Sequence, residues 1–468
     1  MLGGFFVCMC KPEKEGFFIK KNDIYEIEIY AISAEGQGVG QVDGRVMFIP
    51  ETVPGDFVRA RIEKVAKNHG YAKAVGIITP SEYRVGQDCP VYPRCGGCSL
   101  RHMSYAAELS AKQSIITEAL RRIGGVVVDA LKVLPSPMEA EYRNKAILPF
   151  QGEASRVELG FYAKRSHRLV SVGNCELCPA VFARIQHEVL VFVNQRKITA
   201  YDETTNTGLL RQLYIRRGER TGEIGVTFVI NGNSLPDESV LAGKLSAKFP
   251  SIVSVMINSH TKKGNANLGR HWRILRGRDY IYDEMCGLRL KIGAEAFYQV
   301  NTLAAEVLYD EAFKMADLRP GERVLDLYCG IGSIGLSFAK KRADIQITGV
   351  EIVKSAVENA AANALENGIN NAEFVRADLG DDGHVDMRGF DTVVVDPPRS
   401  GLDVPVISAL ALAKPEKILY ISCNPATLAR DMAALREHGY EMADVLAVDL
   451  FPRTHHVEAI ALLRRVNA

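Results

Sequence analysis

The stretch Arg323-Val-Leu-Asp-Leu-Tyr-Cys-Gly-Ile-Gly-Ser-Ile-Gly335 joins a short apolar run to three closely spaced glycines. The apolar run predicts a buried strand of a parallel sheet, and the glycines lead into a predicted helix. A second predicted strand, Ile345–Glu351, ends in an acid about 20 residues after Gly332, where a nucleotide-binding β-α-β unit receives ribose hydroxyls. The C-terminal part of the chain is therefore predicted to be a doubly wound α/β domain.

Chemically useful side chains follow the later predicted strands. Asp378, Asp396 and Cys423 each stand at a strand end, and Glu458 lies just before the closing strand. Ligands of open α/β sheets bind beyond the carboxyl ends of the strands, so we expect Asp396, Cys423 and Glu458 at one sheet edge, with Asp378 suited to an adenine. Position alone leaves Cys423 open between a nucleophile and a small buried hydrophobic residue.

The residues before Pro80 form a predicted unit of their own. Asn22 to about Pro80 holds roughly five short segments of alternating apolar and polar residues, separated by turn-rich stretches. This pattern predicts a small OB-like β-barrel, a scaffold common among nucleic-acid-binding domains. Basic and aromatic residues near its end fit either an RNA-binding surface or a solvated strand edge: Lys64, Lys67, His69, Tyr71 and Lys73.

Three closely spaced cysteines, Cys89, Cys95 and Cys98, predict a metal site. A closed site needs a fourth ligand, which Cys175 or Cys178 would supply. Four cysteines suit either zinc or an iron–sulfur cluster. Zinc is the weaker alternative because Cys89 stays outside a pair of Cys-x2-Cys knuckles, and unpaired structural thiols are the third.

The middle of the chain is rich in basic residues. An amphipathic helix is predicted at about 105–123, and alternating strands and turns up to about Leu290 predict an α+β domain. Recurring basic residues favour a phosphate-binding surface over solvated charge: Arg143, Lys145, Arg165, His167, Arg168, Arg211, Arg216 and Arg217. The formal net charge is only +1, so nucleic-acid binding must rely on such local patches. No apolar run long enough to predict a membrane span occurs.

Taken together, seven motifs resemble the RNA 5-methyluridine (uracil-C5) methyltransferase family from about residue 20 onward. The motifs are Cys89-x5-Cys95-x2-Cys98, Tyr142-Arg-Asn-Lys145, Phe297-Tyr-Gln-Val-Asn301, Asp326-Leu-Tyr-Cys-Gly-Ile-Gly-Ser-Ile-Gly335, Asp396-Pro-Pro-Arg399, Ser422-Cys-Asn-Pro425 and His455-His-Val-Glu458. Within that family the chain is similar to the branch with an N-terminal TRAM domain and a 4Fe-4S cluster, typified by the enzyme that acts on 23S rRNA. Arg101 departs from the pattern, where glutamine is expected.

This resemblance implies S-adenosylmethionine as the methyl donor and assigns roles to individual residues. Cys423 would be the nucleophile and Glu458 the general base, while Asp396 would contact both cofactor and uracil. Phe297 would lie near the flipped base. The other implied cofactor residues are Gln299, Tyr328, Gly330, Glu351 and Asp378. The implied ligands of the 4Fe-4S cluster are Cys89, Cys95, Cys98 and Cys175.

A multidomain fold follows from the same resemblance. Its expected parts are a disordered or mis-assigned start (1–18), an OB-like TRAM barrel (19–79), a central α+β domain with the cluster (80–290), whose helix at about 105–123 packs on the catalytic domain, and a Rossmann-like methyltransferase domain (291–468). We expect a cytoplasmic monomer without membrane contact.

For the substrate, we expect 23S rRNA, with the T-loop uridine of tRNA as the alternative. Methylation of an exocyclic amino group is disfavoured by Arg399, which stands where that chemistry uses an aromatic residue. A non-catalytic RNA chaperone is disfavoured by the intact Cys423 and Glu458.

Overall fold

The computed structural model describes residues 19–264, 266–380 and 385–466, so the expectation for residues 1–18 lies outside them. The chain divides into two compact units, one up to Val85 and one from Gly86 onward. Within the described ranges, no helix is long and apolar enough to cross a membrane.

The first unit is a six-stranded sheet with its own core. Its strands are β1 (Ile24–Glu28), β2 (Ala31–Ile32), β3 (Gly38–Val42), β4 (Arg45–Ile49), β5 (Phe57–Val65) and β6 (His69–Thr79). They are ordered β1-β5-β6-β4-β3-β2, and all pairs are antiparallel except β4 with β6. The period-two pattern turns alternate side chains such as Val58, Ala60 and Ile62 of β5 into the core.

The second unit begins with an amphipathic helix and a short strand, α1 (Tyr105–Arg122) and β7 (Lys132–Leu134). The α1 helix is capped by Ser104, whose side chain accepts a hydrogen bond from the Ala107 amide. Its Ile116 and Leu120 join the same hydrophobic cluster as Leu428 and Met432 of the C-terminal region. This packing attaches α1 to the C-terminal sheet and its helices.

A seven-stranded sheet forms the centre of the second unit. Its elements are β8 (Lys145–Gln151), β9 (Glu158–Tyr162), β10 (Leu169–Ser171), α2 (Ala180–Gln195), β11 (Leu210–Arg217), β12 (Ile224–Ile230), α3 (Glu238–Lys248), β13 (Ile252–Ser259) and β14 (His271–Gly277). The strand order is β10-β9-β8-β11-β12-β13-β14. Side chains of α2 and α3, including Phe182, Val189 and Leu241, share one buried cluster with strand residues.

A hairpin and a helix lead into the C-terminal sheet. The hairpin consists of β15 (Tyr280–Met285) and β16 (Leu288–Gly293), and α4 (Thr302–Ala316) follows. Asn301 caps α4 by accepting a hydrogen bond from the Ala304 amide. The segment between β16 and α4, residues 294–301, carries two of the predicted site residues, Phe297 and Gln299.

The C-terminal sheet has eight strands with helices packed against it. Its elements are β17 (Arg323–Leu327), α5 (Ser333–Lys341), β18 (Gln346–Glu351), α6 (Lys354–Glu366), β19 (Ala372–Arg376), β20 (Thr392–Val395), α7 (Val404–Ala413), β21 (Lys417–Ser422), α8 (Pro425–Arg436), β22 (Tyr440–Val448) and β23 (Glu458–Arg465). The strand order is β19-β18-β17-β20-β21-β23-β22-β7. The first five strands are parallel, and β23 is antiparallel to both neighbours.

The predicted doubly wound sheet is thus present, with one addition that the sequence did not predict. The eighth strand, β7, comes from the segment assigned to the central domain and pairs in parallel with β22. Every residue of β20 and β21 is buried, as expected of strands covered on both faces.

Candidate active site

Cys423 occupies the turn between β21 and α8. The Ser422 hydroxyl accepts a hydrogen bond from the Asn424 amide at 3.1 Å, and the Asn424 side-chain oxygen accepts one from the Ala426 amide at 3.1 Å. Asn424 is therefore the N-cap of α8, and Pro425 takes the first helical position. This local bonding fixes the backbone on both sides of Cys423, which is itself half-buried.

Glu458, the first residue of β23, lies near Cys423. The register of the antiparallel pair places Ser422 opposite Ala459, so that Cys423 and Glu458 extend from adjacent strand ends. Burial, together with the negative charges of Glu458 and Asp396, raises the pKa of Cys423 to about 11. Glu458 is 4% exposed, and burial followed by the charge of Asp396 holds its pKa well above the usual range.

Asp396 is the third acidic member of this edge. It follows β20 directly and precedes Pro397 and Pro398. Burial raises the pKa of its carboxyl to about 7. Asp396 is close enough to Cys423 and Glu458, with which it was predicted to share one sheet edge, for its charge to raise the pKa of both.

Arg399 is a positively charged residue close to Cys423 and Glu458. The sequence analysis assigned it no role in the site. Its positive charge lowers the pKa of both Cys423 and Glu458, against the larger effect of burial. The Arg399 carbonyl accepts a hydrogen bond from the Asn424 side-chain amide at 3.0 Å, which joins the Asp396 loop to the Cys423 turn. The Arg399 guanidinium lies 3.3 Å from Nε2 of His456. Burial, then the charges of His455 and Arg399, lower the pKa of His456 to about 3, so this imidazole is neutral and can accept from the guanidinium.

The glycine-rich turn after β17 lies at the carboxyl end of the same sheet. Tyr328, Gly330 and Gly332 all have positive φ angles, and Gly332 forms the N-cap of α5. A Cβ on Gly332 would lie 2.8 Å from the Phe374 ring, which explains the need for glycine there. Glu351 accepts hydrogen bonds from the amides of Gly330 at 3.2 Å and Val353 at 2.8 Å, so it braces this turn from the end of β18.

Asp326 is a second residue to which the sequence gave no role in the site. Its Oδ2 accepts a hydrogen bond from the Gly335 amide at 2.9 Å, whereas its Oδ1 is buried without a hydrogen-bond partner. Burial raises the pKa of Asp326 to about 7. A buried carboxylate oxygen without a partner is costly, so this atom favours a ligand group that donates a hydrogen bond.

The residues expected near the base and the cofactor differ widely in exposure. Phe297 is 63% exposed, while Gln299 is 6% exposed. The charge of Asp396 and the side chain of Gln299 both act on the pKa of Tyr309, so these three groups lie close together. Asp378 is exposed after β19, accepts a hydrogen bond from the Gly380 amide at 2.9 Å, and lies near enough to Tyr328 to affect its pKa.

The large cavities lie away from Cys423. One of about 520 Å³ includes Asp378 with Leu379, Met387 and Leu412, and one of about 590 Å³ lies in the central sheet beside Tyr162 and Tyr201. Neither is lined by Cys423, Glu458 or Asp396. The candidate site is therefore defined by the side chains at the sheet edge.

Four of the cysteines line one small cavity of about 60 Å³: Cys89, Cys95, Cys98 and Cys175. Burial raises the pKa of Cys95 and brings that of Cys98 to about 12. A hydrogen bond involving Cys178 lowers the pKa of Cys175 to about 6. Among the residues that the structure describes, no group of three or more potential ligands is arranged to hold one metal ion.

The cysteine segment is bonded to the loop that leads into Glu458. The amides of Ser99 and Leu100 donate to the Arg453 carbonyl at 3.0 and 3.1 Å. The Ser99 hydroxyl accepts from the His455 amide at 2.8 Å and lies 3.0 Å from Nδ1 of His455. The departure noted at Arg101 has a structural counterpart, because this buried guanidinium forms an ion pair with Asp88.

Comparison with known proteins supplies the family. Residues 269–466 match the family described as tRNA (Uracil-5-)-methyltransferase, and residues 20–75 match the TRAM domain. An uncharacterized RNA methyltransferase of Halalkalibacterium halodurans is 38% identical over 96% of this chain and 98% of its own length. Another from Streptococcus mutans is 38% identical over 95% of this chain and 99% of its own.

Among solved structures, the Pyrococcus abyssi tRNA (uracil-54, C5)-methyltransferase in complex with S-adenosyl-L-homocysteine is similar over most of the chain. It has a TM-score of 0.75 and 27% identity, and it covers 94% of this chain and 100% of its own. The first unit is thus a TRAM domain and the C-terminal sheet has the methyltransferase fold, as predicted. The chain belongs to the RNA uracil-5-methyltransferase family, which confirms the resemblance and the enzyme class.

Proposed function

We propose that this protein methylates C5 of a uridine in 23S rRNA, with Cys423 as the nucleophile and Glu458 as the general base. The observation that carries the proposal is the convergence of Cys423, Glu458 and Asp396 at one edge of the sheet, where Asp396 acts on the pKa of both other groups and Glu458 on that of Cys423. C5 of uracil is a poor nucleophile, and this set of side chains supplies what its activation requires.

The chemistry assigns each side chain one task. The Cys423 thiolate adds to C6 of uracil, which moves electron density to C5 and makes that carbon nucleophilic. Once C5 carries the methyl group, it still holds its proton, and the Glu458 carboxylate removes this proton so that the C6–sulfur bond can break. Asp396 hydrogen-bonds the edge of the uracil or an amine of the cofactor. The uridine must leave its stack to reach Cys423, at a cost of a few kcal/mol, and the exposed Phe297 ring offers it a new stacking surface.

S-adenosylmethionine supplies the methyl group when bound, and the residues around the glycine turn fit it. The unpaired Oδ1 of Asp326 suits the amino group of such a ligand, and a Cβ at Gly330 would meet no atom within 4 Å, so space is open there. The proposed contacts are Gln299, Tyr328, Gly330, Glu351, Asp378 and Asp396. The bound S-adenosyl-L-homocysteine of the Pyrococcus abyssi structure supports this class of cofactor.

A 4Fe-4S cluster held by Cys89, Cys95, Cys98 and Cys175 is the second part of the proposal. These four thiols line one cavity, which fits a shared group between them. Cys178 is buried in the hydrophobic core of the central sheet and is not among the residues that line this cavity, which favours Cys175 as the fourth ligand. Such a cluster would stabilise the segment that Ser99 bonds to the Glu458 loop, so we assign it a structural role.

The RNA would be held by both units. The TRAM domain carries a half-buried ring cluster of Phe48, His69 and Tyr71, with centroids 5.2–5.8 Å apart, beside the exposed Lys64 and Lys73. Rings next to lysines suit stacking on unpaired bases. The proposal includes a cytoplasmic, monomeric enzyme.

The second candidate is the same chemistry on a tRNA uridine. Its support is the structural similarity to the Pyrococcus abyssi enzyme, which is a tRNA (uracil-54, C5)-methyltransferase. The TRAM domain and the cysteine set favour rRNA, since the resembling branch with both features is typified by the rRNA enzyme.

Deletion of the gene tests the substrate directly. 5-Methyluridine is quantified by mass spectrometry in separated 23S rRNA and tRNA from cells with and without the protein. We expect loss of one or more 5-methyluridines from 23S rRNA and restoration by wild type but not by Cys423→Ala. Loss from tRNA alone selects the second candidate, and unchanged 5-methyluridine in both RNAs would overturn the proposal.

A further inference from the structure

Three positively charged side chains meet beside the candidate active site without an acid among them. Lys145 and Arg216 are direct cross-strand partners on β8 and β11, and Arg143 precedes Lys145 by two residues. Like charges directly opposite each other destabilise a sheet. Arg216 and Arg143 lower the pKa of Lys145 further than burial alone, to about 8, and no carboxylate acts on it in the opposite direction.

The three cations are engaged to different degrees. Arg216 is 3% exposed and donates to the carbonyls of Gly293 at 3.0 Å and Ala296 at 2.7 Å, so it is a fixed structural charge. The side chains of Arg143 and Lys145 form no hydrogen bond or ion pair with the residues that the structure describes. Both are half-buried rather than freely solvated. Arg143 also lines the cysteine cavity, together with Glu176, so Lys145 is the cation on which no acid acts, and it faces the fixed charge of Arg216 across the strand pair.

The chain anchors this site to the segment that carries Phe297 and Gln299. Asn144 lies between Arg143 and Lys145 in the sequence and is 1% exposed. Its side-chain amide donates a hydrogen bond to the carbonyl of Gln299 at 2.8 Å. The Ala296 carbonyl that Arg216 binds immediately precedes Phe297. The positive charge of Arg143 contributes to the lowered pKa of His456, which lies two residues before Glu458. The cationic group therefore lies beside the place where the target base would be received.

We propose that Lys145, supported by the charges of Arg216 and Arg143, binds one phosphate of the RNA adjacent to the target nucleotide. This inference rests on the proposed function, because it requires an RNA substrate. A phosphodiester would supply the negative charge that Lys145 and Arg216 lack and would release its counterions on binding. Phosphate contacts fix position without reading sequence. A backbone held at this point would keep the nucleotide in place while its base leaves the stack.

Binding and its salt dependence provide the first test. The probe is a fluorescent RNA hairpin of about 20 nucleotides with a uridine in its loop, titrated by anisotropy against full-length protein that carries Cys423→Ala, so that no turnover intervenes. The added substitutions are Lys145→Gln, Lys145→Arg and, as a control, Lys314→Gln on the exposed face of α4. We expect Lys145→Gln to weaken RNA binding at low salt and to reduce the slope of log K against log salt by about 1. Lys145→Arg should keep most of the wild-type affinity and slope. Lys314→Gln should change neither the affinity nor the slope.

A single uncharged linkage in the RNA identifies the phosphate. Hairpins that each carry one methylphosphonate near the loop uridine are bound by wild type and by Lys145→Gln. We expect one linkage next to the uridine to weaken wild-type binding and to add nothing to the loss caused by Lys145→Gln. If Lys145→Gln does not fold, the linkage scan on wild type alone decides, and equal affinity for every linkage would overturn the proposal.

Other outcomes separate the two proposals. An unchanged salt slope in Lys145→Gln, or a higher KM for S-adenosylmethionine with unchanged RNA affinity, overturns the phosphate site while methylation by wild type still supports the proposed function. Conversely, a protein that methylates no RNA but loses one linkage-specific contact in Lys145→Gln supports the phosphate site and refutes the proposed function.

Discussion

At the scale of single residues, burial controls the reactivity of Cys423. Burial and two nearby acids raise the pKa of its thiol to about 11, and Arg399 is the one charge that acts in the opposite direction. The nucleophile is therefore mostly protonated near neutral pH in the free enzyme. Its thiolate fraction, and with it the reaction with an alkylating reagent, should rise steeply with pH.

Alkylation of Cys423 by iodoacetamide tests this electrostatic picture. Because the pKa lies above the range studied, we expect the rate to rise about tenfold per pH unit between pH 7 and 9. Arg399→Gln removes a stabilising cation, so it should slow alkylation at a given pH by roughly 2- to 10-fold. Arg388→Gln, on an exposed pair with Asp386, is the matched control and should leave the rate unchanged. A rate independent of pH would contradict the raised pKa.

The site residues that could be predicted from the sequence are those that stand at strand ends. Cys423, Asp396 and Glu458 follow or begin strands, so the topology of a doubly wound sheet brings them together. Arg399 and Asp326 were not assigned roles, because their parts depend on loop packing and on an unpaired buried oxygen. The sequence did offer one indication of a role for Arg399, namely its place in the Asp396-Pro-Pro-Arg399 motif.

At the scale of elements, the loop before Glu458 depends on a buried lysine of α1. Lys112 is fully buried and donates to Glu108 at 2.7 Å, to Asp449 at 2.6 Å and to the Phe451 carbonyl at 3.2 Å. Glu108 in turn accepts from the Arg453 amide at 2.7 Å. One helix thus holds the loop whose end is the proposed general base.

Removal of this lysine should destabilise the protein strongly. Lys112→Met leaves two buried acids without their cation, so we expect the free energy of unfolding to fall by about 3–5 kcal/mol in urea titrations. Lys314→Met breaks an exposed pair with Glu311 and should cost less than about 1 kcal/mol. Equal effects of the two substitutions would show that the buried network does not support the loop.

The glycine turn allows a comparison within one element. Gly330 and Gly332 both have positive φ, but an added Cβ meets nothing within 4 Å at Gly330 and lies 2.8 Å from Phe374 at Gly332. We expect Gly330→Ala to cost about 1–2 kcal/mol of backbone strain, and Gly332→Ala to cost about 1–3 kcal/mol more. Urea unfolding of both variants checks this, and a larger loss for Gly330→Ala would contradict the packing.

Most elements of the C-terminal sheet were predictable from apolar runs that end in acids or glycines. The edge strand β7 was not, because its three residues lie far from β22 in sequence and pair only through the tertiary fold.

At the scale of the whole molecule, the TRAM domain is a compact unit with a separate core. We therefore expect residues 86–468 alone to unfold cooperatively and to bind S-adenosylmethionine as the full chain does, but to bind RNA more weakly, with a smaller salt slope. Calorimetry and anisotropy measure these properties. Loss of folding in the fragment would contradict the independence of the two units.

The division into two units was partly predictable and partly not. The turn-rich, alternating pattern before Pro80 predicted the first unit, and its strand β6 ends at Thr79. The central and C-terminal parts, predicted as separate domains, belong to one compact unit because α1 and β7 pack on the C-terminal sheet. The packing of the helix at about 105–123 was expected from the resemblance, whereas the pairing of β7 with β22 leaves no local signal in the sequence.

The central claim, a covalent bond between Cys423 and C6 of uracil, is tested most directly by trapping that bond. RNA that carries 5-fluorouridine at the target position has no C5 proton for Glu458 to remove, so the adduct cannot break down after methyl transfer. With S-adenosylmethionine present, we predict a stable protein–RNA complex on denaturing gels, with mass spectrometry placing the methylated fluorouridine on Cys423 and Cys423→Ala forming none. An adduct on another residue, or undiminished methylation of ordinary RNA by Cys423→Ala, would contradict the account.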